Sequence, residues 1–194
     1  MSPETDGSSL SLFKQLEITR FDRALEATES LAKNRSLLTT AELERLNGIL
    51  IGKKTASTGL ETADHVSEMW RDSPVTLSLP SGKTETLSIL RDPKLTAREH
   101  LHEATELAEN GHPIDAAVSI YVKLVLSHVF KDANRRTAVL AAHYFLTRYG
   151  APLSGLALHE IGLGDLREPG QIDALKDTIS QMAKFAAKRK KSEP

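Results

Sequence analysis

Apolar residues recur at helical spacing along most of the chain, and this pattern constrains the fold more than any other feature. From Leu10 to about Lys33 they predict one amphipathic helix. Residues 75–79 (VTLSL) and 84–90 (TETLSIL), joined by a tight turn, give the one convincing strand signal and predict a β-hairpin. The sequence therefore predicts an all-α fold that carries one small β-hairpin.

Capping residues and periodicity set the other helix boundaries. A threonine followed three residues later by a glutamate occurs at Thr39 and again at Thr96, and each pair predicts the start of a helix. The first of these helices is expected to end near Gly52 and the second at Asn110, with a loop over 53–68. Apolar periodicity predicts three further helices, over 113–128, 134–149 and 171–191.

Composition excludes several classes of protein. The absence of cysteine excludes thiol catalysis, cysteine-based zinc sites and disulfides, and it fits a reducing cytoplasm. A net charge of -1 gives no global attraction to nucleic acid or to an anionic membrane. The polar N-terminus lacks the plan of a signal peptide, and no apolar run is long enough to cross a bilayer. We therefore expect a cytoplasmic protein without a nucleic-acid or membrane partner.

The 194 residues suit one domain, because 40% of them are hydrophobic and can fill a single core. We predict a disordered tail over 1–8 and a single domain over 9–187 that begins with an N-terminal helical extension. Residues 188–194, which include the run KRKK, are predicted to form a basic C-terminal tail.

The stretch HVFKDANRRTA, between two predicted helices, carries most of the chemistry. The helix from Asn134 exposes unpaired N–H groups at its positive end, where phosphate binds readily, and Arg136 adds a fork of donors. Asp132 suits Mg²⁺, and His128 can accept a proton near neutral pH. Any one of these residues alone is more often a cap, a surface cation or a structural histidine. Their combination favours a phosphoryl- or nucleotidyl-transfer site.

This stretch resembles the signature of the Fic/Doc (Fido) family, H-x-F-x-[D/E]-[G/A]-N-[G/K]-R. The residues in register are His128, Phe130, Asp132, Ala133, Asn134 and Arg136. The helix before the motif is also similar, and the hairpin at 75–90 lies where the family places its target-positioning flap. The resemblance covers roughly 40–165. It implies a mostly helical Fic-type fold and transfer of part of a nucleotide, usually AMP from ATP, to a hydroxyl side chain of a protein docked on the hairpin.

The resemblance also implies roles for single residues. His128 would be the catalytic general base, Phe130 a structural residue that faces inward, and Asp132 the ligand of a Mg²⁺ cofactor. ATP would be the co-substrate. Its phosphates would bind to the start of the following helix, through Ala133, Asn134, Arg135 and Arg136. Two roles are open for Arg135: it either replaces a phosphate-binding lysine or faces solvent.

The motif departs from that of many AMP-transferring members, which carry glycines on both sides of the asparagine and a second arginine. Here those positions hold Ala133, Arg135 and Val139. The string is closer to the Doc-type branch, which is associated with transfer of the γ-phosphate. The N-terminal extension and the hairpin are those of AMP-transferring members, so the motif and the architecture point to different branches. AMP transfer is favoured because it is the commoner activity of the family. The alternatives are a Doc-like kinase toxin and a catalytically silent regulatory protein with a Fic fold.

Many family members silence themselves with a helix of pattern [S/T]-x-x-x-E-[G/N]. The one literal match is Thr105 to Asn110, between the hairpin and the motif, where such helices do not usually lie. With Val139 in place of the second arginine, Glu109 would also lack its usual partner. Inhibition in cis is therefore not expected, and a separate antitoxin-like inhibitor protein is the alternative partner.

Overall fold

The computed structural model describes residues 7–53, 69–79, 82–89, 91–151, 153, 155–161 and 165–192. Within these ranges the chain forms seven α-helices and one two-stranded antiparallel sheet, which confirms the predicted fold class. The elements are α1 (Gly7–Lys33), α2 (Thr40–Ile51), β1 (Val75–Ser78), β2 (Thr84–Leu87), α3 (Pro93–Glu109), α4 (Pro113–Ser127), α5 (Asn134–Arg148), α6 (Gly155–Glu160) and α7 (Gln171–Ser192).

Helix α5 is the centre of the fold. Every residue over 137–146 is buried, so this helix is covered on all sides. It packs against α1, α2, α4 and α6, while α4 also packs against α3 and α7. Because α5 begins directly after the motif, the same contacts that form the core fix the position of the motif.

The capping predictions have different outcomes at α2 and α3. At α2 the hydroxyl of Thr39 accepts the N–H of Glu42 at 3.3 Å, as predicted. At α3 the prediction is wrong, because the helix begins at Pro93, three residues before Thr96. There the carboxylate of Asp92 caps the helix, and the Thr96 hydroxyl donates to the Asp92 carbonyl at 3.0 Å. A proline in the first turn follows an aspartate cap readily, so the helix starts earlier.

At both ends of the described chain a helix extends into a predicted tail, at residues 7–8 and at 188–192. Helix α1 begins at Gly7 and α7 continues to Ser192, so the basic run at 188–191 extends a helix. The short helix α6 was not predicted, since six residues carry too little periodicity to be recognised. The predicted disorder of 1–6 and the predicted loop over 54–68 lie outside the described residues. None of the described helices is long and apolar enough to span a membrane.

The hairpin is fixed to the helical body at two points on β2. Its strands pair in the register Val75 opposite Leu87. The guanidinium of Arg71 donates to the carbonyl of Leu87 at 2.8 Å, and Nε of Arg167 lies 2.8 Å from a carboxylate oxygen of Glu85. A two-stranded hairpin is marginally stable by itself, so these arginines hold it in place beside the motif.

Candidate active site

His128 caps the C-terminal end of α4 and has one ring nitrogen bonded to the helix. Its backbone is left-handed (φ 49°, ψ 52°), which turns the chain out of the helix. The ring Nδ1 lies 3.0 Å from the carbonyl oxygen of Val125. Because a carbonyl only accepts, Nδ1 carries the proton of the neutral ring and Nε2 carries the lone pair. The half-buried imidazole is thereby oriented as a base.

Phe130 anchors the loop between α4 and α5. Its ring is 1% exposed and stacks on Trp70, with ring centroids 4.5 Å apart. The N–H of Arg71 donates to the Val129 carbonyl at 2.9 Å, and the N–H of Lys131 donates to the Met69 carbonyl at 3.0 Å. Segments 69–71 and 129–131 are therefore paired, and the first leads directly into β1. This pairing connects the hairpin to the loop that follows His128.

Asn134 closes the loop from within. Its side-chain oxygen accepts the N–H of Phe130 at 2.9 Å, and its amide donates to the Phe130 carbonyl at 2.8 Å. The residue is 5% exposed. The structure thus shows Asn134 shaping the loop, and its binding of phosphate stays a prediction.

Asn47 of α2 supports the same loop and was not identified from the sequence. Its amide donates to the carbonyl of Asp132 at 2.9 Å and to the hydroxyl of Thr137 at 3.0 Å. The Thr137 hydroxyl in turn donates to the Ala133 carbonyl at 3.0 Å. One signal was available, because Asn47 is an amide on the buried, leucine-rich face of α2. A polar residue in such a place usually has a specific partner.

Ala133 and Asp132 form the turn into α5. Ala133 is left-handed (φ 57°, ψ 23°), which explains why many relatives are expected to carry glycine there. The carboxylate of Asp132 accepts the N–H of Ala133, and its side chain is otherwise exposed. Among the described residues no three His, Asp or Glu side chains are grouped to hold a metal. One carboxylate suffices for Mg²⁺ when substrate phosphates supply further ligands, so Asp132 fits a site shared with a nucleotide.

The first turn of α5 is suited to an anion. In the part of the chain that the structure describes, no side chain caps this helix and its first turn holds no acidic residue. Its backbone N–H groups therefore keep their capacity to bind phosphate oxygens, at the positive end of the helix dipole.

The side chain of Arg135 contacts the C-terminal end of α6. Its guanidinium donates to the carbonyl of Ile161 at 3.0 Å and lies 3.4 Å from that of His159, where α6 ends. The side chain is exposed. It links the start of α5 to the end of α6, and a phosphate-binding role for it stays a prediction.

Arg136 is paired with an acidic residue of α1. Its guanidinium lies 3.2 Å from a carboxylate oxygen of Glu17, and the two side chains are 22% and 45% exposed. No sequence pattern pointed to Glu17, because the partners are 119 positions apart. Glu17 is not the glutamate of the inhibitory pattern found in the sequence, which is Glu109. Glu109 is exposed at the end of α3 and forms no ion pair among the described residues. An acidic contact with a motif arginine in cis was not expected, but the structure contains one.

Val139 occupies the position of the second arginine and is 1% exposed. It lies among the buried residues of α5, in the core of the protein. This position cannot supply a side chain to a nucleotide in the present sequence.

Comparison with known proteins agrees with this geometry. The sequence profile of the Fic/DOC family matches residues 37–146, more than half of the chain. No curated protein is significantly similar in sequence.

Several solved structures share the fold. A Fic-domain-containing signalling protein of Bacteroides thetaiotaomicron has a TM-score of 0.61 at 17% identity, over 87% of this chain and 68% of that one. Fic-1 of C. elegans has a TM-score of 0.56 at 18% identity, over 100% and 56%. IbpAFic2, solved covalently tethered to Cdc42, has a TM-score of 0.55 at 16% identity, over 86% and 54%. The chain thus spans little more than half the length of the last two. With the matched profile and the shared fold, the chain belongs to the Fic/DOC family, whose members are generally transferases that act on proteins.

Proposed function

We propose that this protein transfers AMP from ATP to a hydroxyl side chain of a target protein. The observation that carries the proposal is the orientation of His128. Its Nδ1 is bonded to the Val125 carbonyl, so the lone pair of the neutral ring is on Nε2, which would take the proton. Helix α5, whose start no side chain caps, follows His128 along the chain and would hold the phosphates.

The reaction follows from these two features. Nε2 of His128 accepts the proton of the target hydroxyl while the hydroxyl oxygen forms a bond to the α-phosphorus. The bond from that phosphorus to the oxygen bridging to the β-phosphate breaks, and pyrophosphate leaves. The N–H groups of the first turn of α5 hold the phosphate oxygens as charge develops on them. Arg136 can join them once its guanidinium exchanges Glu17 for phosphate.

Asp132 would hold Mg²⁺ together with the phosphates of the bound nucleotide. The ion, when bound, would neutralise phosphate charge. The chain's own contribution is to fix the loop that presents Asp132, through Asn47 at its carbonyl and Asn134 at the two polar groups of Phe130.

The target segment would dock along the hairpin as an added strand. This is supported by the position of the hairpin, which is joined to the His128 loop through segment 69–71 and braced by Arg167. A relative of the same fold, IbpAFic2, has been solved tethered to a protein, Cdc42. A separate inhibitor protein stays a prediction.

Transfer of the γ-phosphate is the second candidate, and Val139 favours it. A buried valine stands where AMP-transferring relatives are expected to carry the second arginine, so the second anchor for the triphosphate is missing. ATP could then bind in the reverse direction and present its γ-phosphate to the hydroxyl.

Incubating the protein with cell lysate and ATP labelled at either the α- or the γ-phosphate separates the two reactions. Label from the α-phosphate on a protein band is the expected result. Label from the γ-phosphate alone would establish the second candidate in its place. Label from neither, with a folded protein and a range of lysates, would contradict both and favour the silent regulatory alternative.

A further inference from the structure

A buried guanidinium lies beside the motif without a carboxylate partner. Arg71 is 9% exposed, and its guanidinium donates to the carbonyls of Leu87 at 2.8 Å and Ser88 at 3.4 Å. Its Nε is buried and has no hydrogen-bond partner, and none of the ion pairs among the described residues involves Arg71. Buried charges in proteins are normally paired, so this cation is suited to an anion that comes from outside the chain.

Arg71 lines a cavity of about 160 Å³ between the end of the hairpin, the start of α3 and the end of α4. A second guanidinium, that of Arg91, lines the same cavity and is shared with Glu99 at 3.0 Å. Hydroxyl-bearing residues complete the polar wall, including Thr96 and Ser127. The hydroxyls of Thr96 and Ser127 already donate to the carbonyls four residues earlier, so what the cavity offers to one small anion is chiefly the charge and the unpaired Nε–H of Arg71.

The volume of the cavity and its position limit which ligand can bind in it. Pockets that enclose small-molecule ligands are typically about 300–1,000 Å³, so this cavity is too small for a nucleotide and suits a single side chain. Its wall includes Ser127 and Val129, the two residues on either side of His128. Because Ser88, at the end of the hairpin, also lines the cavity, a polypeptide that runs along the hairpin toward His128 would come close to it.

We propose that this cavity binds the carboxylate of an aspartate or glutamate in the target segment, close in sequence to the hydroxyl that is modified. The inference rests on the proposed function, and it adds a preference for acidic target segments. Arg71 supplies the uncompensated charge, and the N–H groups of its guanidinium that do not bond to Leu87 and Ser88 can donate to a carboxylate. Arg91 adds less, because its guanidinium is already paired with Glu99.

Binding can be tested without any transfer activity, because Trp70 is the single tryptophan of the chain and lies next to Arg71. Its fluorescence would be followed while the protein is titrated with a serine-containing peptide that carries one glutamate. The same peptide with glutamine in place of glutamate, and inorganic phosphate, are the comparison ligands. A charge-assisted hydrogen bond predicts roughly tenfold to hundredfold tighter binding of the acidic peptide, with a difference that shrinks as salt is added.

Replacing Arg71 would also release the hairpin, so the decisive variant is Thr96→Asp. It adds a carboxylate to the cavity wall in the first turn of α3, where acidic residues are favourable, and it leaves the contacts of Arg71 in place. Thr178→Asp is the matched control, because Thr178 also donates to the carbonyl four residues earlier and is exposed on α7. Thr96→Asp should lose the preference for the acidic peptide, and Thr178→Asp should keep it.

Equal affinity for the two peptides, or a preference that survives Thr96→Asp, would overturn the inference. Phosphate that binds as tightly as the acidic peptide would overturn the assignment to a carboxylate. Failure of this inference and failure of the proposed function give different results. Equal binding with label transferred to both peptides would remove only the inference, whereas a clear binding preference without any transfer would remove only the proposed reaction.

Discussion

The ion pair between Glu17 and Arg136 predicts that Glu17→Gln strengthens nucleotide binding. The guanidinium of Arg136, in the first turn of α5, can offer a fork of donors to phosphate, and it is paired with Glu17 at 3.2 Å. A nucleotide must displace that carboxylate. Glutamine keeps the size of the side chain and removes its charge, so the competition is weakened while the packing of α1 is preserved.

The size of the effect follows from exposure. With side chains that are 22% and 45% exposed, solvent screens the pair. Ion pairs of this kind typically contribute about 0.2–1 kcal/mol in double-mutant cycles, which corresponds to about a 1.4- to fivefold change in Kd. We therefore expect ATP to bind about 1.4- to fivefold more tightly to Glu17→Gln at low salt. The gain should diminish at about 1 M salt, where the Debye length is near 3 Å.

Isothermal titration calorimetry measures the Kd of ATP for the wild-type protein and for Glu17→Gln. Glu26→Gln is the control, since Glu26 is exposed on the same helix and the substitution removes the same charge. A double-mutant cycle with Arg136→Gln tests the pairing itself, because the effect of Glu17→Gln should vanish when Arg136 is absent. An unchanged Kd in Glu17→Gln, or an equal gain in Glu26→Gln, would refute the competition between Glu17 and phosphate.

Two further predictions concern the supports of the site, and a third concerns a buried histidine of α5. Asn47→Leu should lower the free energy of unfolding by about 1–3 kcal/mol, measured by urea titration, because the Asp132 carbonyl loses its donor. Ala133→Gly should change the free energy of unfolding by less than about 1 kcal/mol, since relief of the left-handed backbone is offset by chain entropy and a lost methyl group. Burial lowers the pKa of His143 although Glu29 lies close by. The unfolded chain therefore takes up a proton that the folded protein does not, and stability should fall as the pH drops below about 6.5. That slope should be shallower in His143→Gln.

Most of the helices and the hairpin could be predicted because each is indicated by a periodic pattern of apolar residues within a short stretch of sequence. Helical periodicity located α1, α4, α5 and α7, and a single run of alternating residues located the hairpin. The start of α3 was missed because two caps competed and the Asp92-Pro93 pair prevailed over Thr96. Helix α6 was missed because it is only six residues long.

The candidate site was predictable only where it is contiguous. The motif from His128 to Arg136 lies in one stretch, so its residues could be named together. Asn47, Glu17 and the backbone N–H of Arg71 contact that stretch from other parts of the chain, and these contacts depend on how α1, α2 and segment 69–71 pack. No spacing rule relates residues so far apart. The sequence also could not show that the amide of Asn134 bonds to the backbone of Phe130.

The central claim is that His128 acts as the general base, and its most direct test is the initial rate of label transfer from α-labelled ATP by His128→Asn. Asparagine is the appropriate replacement because it tolerates the left-handed backbone at this position (φ 49°), where alanine would be strained, and its amide cannot accept the proton. A general base contributes about two to four orders of magnitude. We predict a loss of at least about a hundredfold, with an unchanged melting temperature. A variant that retains more than about a tenth of the wild-type rate would contradict the account.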